Sequence, residues 1–81
     1  MWHDEWREEL RDENKSCYDR LSECKSRRSD IKIIAKLMYK YNLDKSKQEC
    51  LDRTLKWITD WNNQVDLYPN EEDYSNILNA I

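Results

Sequence analysis

The chain reads as an all-α protein, and three observations in the sequence point that way. It contains no glycine and a single proline, Pro69, in 81 residues. Strands joined by tight turns need residues that accept positive φ, whereas continuous helices do not. Apolar residues recur every three or four positions with charges between them, the period of a helix with one buried face. Helix-start signatures stand before two of the periodic segments, at Ser46 and Asn70. The expected fold is a single helical domain over residues 1–81. It is a small bundle with a long N-terminal helix, an antiparallel partner helix and a short C-terminal helix.

The first helix is placed at residues 2–28. Its apolar seam is Trp2, Trp6, Leu10, Cys17, Leu21 and Cys24. Asn14 stands where the seam calls for an apolar residue, as a register-setting polar group or a loosely packed turn. Residues 26–30 carry no Gly or Pro, and the periodicity continues through Cys24, Arg28, Ile31, Ala35 and Met38. One long or slightly kinked helix to about Tyr41 is therefore expected; the alternative is a second helix capped by Ser29 or Asp30. The segment Asp30–Tyr41 is the densest apolar run and the centre of the fold.

Asn42 suits a left-handed helix end, and residues 42–46 form the first firm turn. Ser46 and Glu49 make a capping box for a helix from Lys47 to about Asp66. Its seam is Leu51, Leu55, Ile58, Trp61 and Val65, widened by Cys50 and Trp57. Tyr68 precedes proline and is expected to be extended. Asn70 then caps a last helix whose stripe is Tyr74, Ile77, Leu78 and Ile81.

A chain this short has a thin core and ordinarily needs a staple. Cys17 and Cys24 lie two turns apart on one helix, about 10 Å, too far for a disulfide. Three unpaired thiols fit a reducing cytosol, no His/Cys spacing suggests zinc, and homo-oligomerisation is the staple expected. No apolar run approaches the roughly 20 residues of a membrane span. The acidic N-terminus lacks the regions of a signal peptide. A cytoplasmic location with no membrane partner follows as the expectation.

The net charge of −3 averages three blocks. Residues 1–14 carry −4, residues 15–47 carry +6 and residues 48–81 carry −5. An acid–base–acid layout suits packed helices or head-to-tail assembly, and argues against nucleic acid as a partner. Lys25, Arg28, Lys32, Lys36 and Lys40 step by three or four. On a continuous helix they form a cationic ridge about 20 Å long. Trp2/Trp6 and Trp57/Trp61 are each spaced one turn apart, and tryptophan is enriched in binding hot spots.

These features support non-enzymatic binding of another protein, as an inhibitor, adaptor or assembly factor. Small phage-encoded proteins that disarm a host system have this kind of sequence. The expected contacts are Trp2 and Trp6 as anchors and Lys32, Lys36 and Lys40 as electrostatic contacts. An alternative is an oligomer that captures a small anionic ligand such as a nucleotide through Lys25, Arg28, Lys32 and Lys36. A third set of residues, Glu5, Glu8, Glu9 and Asp12 with Glu49 and Asp52, forms Glu-x-x-Glu and Glu-x-x-Asp pairs. At these six positions the chain resembles the all-α nucleoside triphosphate pyrophosphohydrolases of the MazG type. That resemblance implies a Mg²⁺-dependent hydrolase. No catalytic residue, cofactor or metal ligand is assigned otherwise. His3 is the sole histidine, and no nucleophile–base arrangement is present.

Overall fold

The computed structural model describes residues 1–81. It is all-helical, with five α-helices: α1 Trp6–Glu13, α2 Lys15–Ser22, α3 Arg28–Tyr41, α4 Lys47–Lys56 and α5 Glu71–Ala80. A π-helical turn, Trp57–Trp61, continues α4, and a 3-10 turn, Val65–Leu67, follows it. No helix is long and apolar enough to cross a membrane.

The expected long N-terminal helix is three helices. Asn14 breaks the first seam: its backbone leaves helical geometry at φ −136°, ψ 58°, ending α1 and starting α2. The polar residue in the seam is thus a helix boundary. α2 ends in a Schellman motif, in which the Lys25 N–H donates to Arg20 O (2.8 Å) and the Cys24 N–H donates to Leu21 O (3.3 Å). Cys24 occupies the left-handed position at φ 57°, one that glycine ordinarily fills. The seam period through residues 24–31 misled because it contained no breaker residue.

A buried ion pair holds the two helices after this break. Asp30 is fully buried and accepts two hydrogen bonds from Arg20, Nε at 2.8 Å and Nη2 at 2.7 Å. The Arg27 N–H donates to the same carboxylate at 2.9 Å. Asp30 therefore sits in the first turn of α3 and reaches back to its start; neither it nor Ser29 is the cap residue. Burial pushes the Asp30 pKa upward. The Arg20 fork, the Arg27 N–H and the neighbouring Cys17 thiol outweigh burial and hold it below its ordinary value.

Asn42 does not adopt the expected left-handed conformation; its φ is −133°. Its side chain is fully buried and works as a clamp. Nδ2 donates to Met38 O (2.8 Å) and His3 O (3.0 Å), while Oδ1 accepts from the His3 N–H (2.7 Å). This ties the N-terminus to the end of α3.

The capping predictions for the later helices hold. The Glu49 N–H donates to Ser46 Oγ at 3.0 Å, and the Asp73 N–H donates to Asn70 Oδ1 at 2.8 Å. Tyr68 is extended, at φ −64°, ψ 123°. The helix expected to reach Asp66 instead leaves α geometry after Lys56. Thr54 and Thr59 donate their hydroxyls to Cys50 O and Leu55 O, four residues back, a pattern that bends helices. The chain then turns through Asn63 at φ 57°. Asn62 Nδ2 donates to Leu21 O (2.9 Å), and Gln64 exchanges two hydrogen bonds with the Ser26 backbone (3.0 and 3.1 Å). These bonds fasten the turn to the α2–α3 break. The π turn shifts the seam's phase, so Trp61 and Val65, expected in the core, are 74% and 69% exposed.

The core lies chiefly between α3 and α4, with α1 and α2 closing one side. Its eleven buried hydrophobic residues include Trp6, Leu10 and Cys17 from the first seam, Ile31, Ile34, Ala35 and Met38 from α3, and Leu51, Leu55 and Ile58. Of the first seam, Trp6, Leu10 and Cys17 are buried by the chain's own elements, Trp2 and Leu21 are partly buried against the core, and Cys24 is exposed. α5 contributes no fully buried residue but lays Tyr74, Ile77, Leu78 and Ile81 against the core.

Candidate functional site

The basic ridge survives only in its middle. Lys25 lies in the α2–α3 break and pairs with Glu23 at 3.8 Å. Arg28, the first residue of α3, pairs with Asp73 of α5 at 3.2 Å. Lys40, in the last turn of α3, donates to Glu9 of α1 at 2.6 Å, and Tyr41 Oη donates to the same oxygen at 2.8 Å. The Lys40 hydrogen bond, followed by that of Tyr41, lowers the Glu9 pKa below its usual value. Glu9 in turn raises the pKa values of Lys40 and Tyr41. Lys32 and Lys36 are exposed, and neither lies within ion-pair distance of a carboxylate. Of the four residues expected to hold a small anion, Arg28, Lys32 and Lys36 stand in a row on α3, with Arg28 paired to Asp73, and Lys25 lies off that helix in the α2–α3 break.

Lys32, Lys36 and Lys40 line a groove of about 570 Å³. Its apolar lining comes from Ile33 and Leu37 of α3, Tyr39, and Ile81 at the end of the chain. Helical spacing puts the three lysines in a row, with Ile33 and Leu37 each one residue further along. Docking of α5 brings Ile81 to the groove, so residues 48 positions apart in sequence share its wall (Ile33 and Ile81).

A second groove, of about 490 Å³, is lined by Arg7, Arg53, Trp57, Trp61 and Asn62. Arg7 stacks its guanidinium on the Trp57 ring at 4.1 Å, and Arg53 stacks on Trp2 at 4.4 Å. Sequence reasoning flagged the Trp57/Trp61 spacing but missed both arginines. They come from α1 and α4, and nothing local in the sequence marks them as neighbours.

The tryptophans divide. Trp6 is 1% exposed and packs edge-on against Trp57, with ring centroids 5.3 Å apart. A partner reaching Trp6 would have to unpack α1. Trp2 is half-buried between Arg53 and Lys45, whose Nζ lies 5.3 Å from its ring. Trp61 is the exposed one.

Four of the six carboxylates singled out by the hydrolase resemblance are engaged elsewhere. Glu9 meets Lys40 and Tyr41, Asp12 meets Arg11, Glu49 caps α4, and Asp52 accepts from Tyr74 Oη at 2.5 Å. No group of three His, Cys, Asp or Glu side chains converges to hold a metal. Burial pushes the Cys17 and Cys50 thiols up, to about 12 and about 11, which keeps them protonated and inert as nucleophiles at neutral pH. Cys24 is exposed, and no cysteine is in a disulfide.

Comparison with protein-family models, with curated proteins and with solved structures found no match to this chain.

Proposed function

We propose that this chain is a non-enzymatic protein-binding protein, an inhibitor, adaptor or assembly factor of the phage type, whose lysine-lined groove receives an acidic amphipathic segment of its partner. The supporting observation is that groove itself. Lys32 and Lys36 stand one helical turn apart beside an apolar wall of Ile33, Leu37 and Ile81 and form no ion pair, while Glu9, the carboxylate that lines the groove, is bound to Lys40 and Tyr41. An amphipathic helix with aliphatic residues on one face and Glu or Asp along its edge complements both the wall and the charge. Lys40, already bound to Glu9, lines the same groove.

A pair of synthetic helical peptides tests this reading. One carries leucines at one-turn spacing with flanking glutamates; the other is identical with lysine for glutamate. The acidic peptide is expected to bind and to shift the amide resonances of Ile33, Leu37 and Ile81, and the basic one is not. Lys32→Glu with Lys36→Glu should weaken the acidic peptide about tenfold or more. Lys47→Glu with Lys56→Glu, outside the groove, should leave binding unchanged. Equal binding of both peptides, or indifference to the Lys32/Lys36 reversal, would refute the proposal.

A further inference from the structure

The groove between α1 and the π turn has a different chemistry from the lysine groove and sits apart from it. It holds two guanidinium groups, from Arg7 and Arg53, and neither has a carboxylate partner. Each is positioned by stacking, Arg7 on Trp57 at 4.1 Å and Arg53 on Trp2 at 4.4 Å. A guanidinium held over an indole by its central carbon keeps its planar fork of N–H donors, the geometry that matches a planar or tetrahedral oxyanion. Arginine is the residue suited to bidentate recognition of phosphate, and stacking lowers the entropy lost on binding.

The same groove carries Trp61, 74% exposed at the end of the π turn. π-helical turns recur at functional sites. Asn63 follows in the left-handed conformation, and the Asn62 and Gln64 side chains pin this turn to the α2–α3 break. The exposed indole is thus mounted on a fastened turn and presents a π face. Asn62 donates its Nδ2 to Leu21 O and leaves its Oδ1 without a protein donor, an acceptor at the groove for an exocyclic amino group. At about 490 Å³ the groove falls within the range of small-molecule sites, about 300–1,000 Å³.

We propose that this groove binds a nucleoside monophosphate whose base carries an amino group, with the phosphate held by Arg7 and Arg53, the base stacked on Trp61 and its amino group donated to Asn62 Oδ1. The site is independent of the lysine groove. Neither Lys32, Lys36 nor Lys40 lines it, so the protein-binding reading and this one stand or fall separately.

The test is a nuclear magnetic resonance titration of the full chain with AMP, reading the four tryptophan indole N–H signals and the arginine Nε–H signals. The expected result is saturable shifts of Trp57, Trp61, Arg7 and Arg53, with a Kd of about 1 mM or tighter. Inorganic phosphate and adenosine should each bind at least about tenfold more weakly than AMP, because each retains only half of the contacts. Trp61→Ala removes an exposed side chain and leaves the core intact; it should weaken AMP about fivefold or more, the lower bound for loss of one base–aromatic stack. Arg7→Gln should weaken AMP and inorganic phosphate while leaving adenosine unchanged. The proposal is overturned by an absence of shifts up to about 10 mM AMP, by phosphate binding as tightly as AMP, or by binding that survives both substitutions undiminished.

Discussion

Replacing Asp30 with asparagine tests the account of what joins the first two helices to the third. Asparagine keeps the shape and still accepts the Arg27 N–H, but it removes the charge that Arg20 grips through two hydrogen bonds. Removing one partner of a buried ion pair ordinarily costs about 3–5 kcal/mol, because the other charge is stranded. Here the Arg20 side chain keeps 26% exposure and can partly rehydrate, so the expected cost lies at the low end, about 3 kcal/mol. An 81-residue domain has a total stability of roughly 4–12 kcal/mol, so the variant should remain folded but fragile. The corresponding fall in Tm is about 12–24 °C at neutral pH, read by far-ultraviolet circular dichroism. The pH dependence has a definite sign. The folded-state pKa of Asp30 is depressed, so its contribution is fully present above the unfolded value near 4 and disappears as the pH falls through the lower folded value. The gap between wild type and Asp30→Asn should therefore narrow below about pH 4. A Tm change under about 4 °C at neutral pH, or a gap that widens in acid, would refute the structural role assigned to this pair.

Two further substitutions probe the reading of the tryptophans and of the α2 terminus. Trp6→Ala should destabilise by about 3–5 kcal/mol, since it empties a core site against Trp57. Trp61→Ala should change stability by no more than about 0.5 kcal/mol in urea denaturation, and comparable losses for the two would contradict their burial. Cys24→Gly should stabilise by about 0.5–1 kcal/mol. The left-handed penalty of a residue with a Cβ, about 1–2 kcal/mol, is relieved against about 0.5–1 kcal/mol of added unfolded-state entropy. A lower Tm for this variant would exclude the strained helix end.

What the sequence made legible was local. The caps at Ser46 and Asn70 depend on a side chain and an N–H three residues away, and both form as read. The all-helical class followed from the absence of glycine and from the apolar period. What it hid depends on contacts across the chain. Asp30 can fasten α3 only because the chain turns at Cys24, and a left-handed cysteine carries no signal of the kind a glycine gives. The π turn at Trp57–Trp61 is pinned by Asn62 and Gln64 to backbone groups about 40 residues earlier in the chain, at Leu21 and Ser26. Its effect was to move Trp61 and Val65 out of a seam whose period pointed inward. Lys32, Lys36 and Lys40 were legible as one stripe, and they do line one groove. Arg7 and Arg53, 46 positions apart, were not.

The acid–base–acid layout of the chain acquires a specific meaning from these contacts. Near one end of α3, Arg28 is neutralised by Asp73 of the acidic C-terminal block; near the other, Lys40 is neutralised by Glu9 of the acidic N-terminal block. Both flanks of the sequence thus fold back onto the helix of the basic block and cancel its ends. Lys32 and Lys36 lie between those two ion pairs and have no partner. The positive potential of α3 is thereby concentrated on its middle turns, above the apolar wall of Ile33, Leu37 and Ile81. On the proposed reading, a protein of net charge −3 with a confined cationic strip of this kind would repel an acidic partner at long range and attract its acidic segment at close approach. Added salt screens both interactions, over about 8 Å at physiological ionic strength. The association rate of an acidic partner should consequently respond to salt far less steeply than it would for a uniformly basic surface, while its dissociation rate responds to Lys32→Glu and Lys36→Glu.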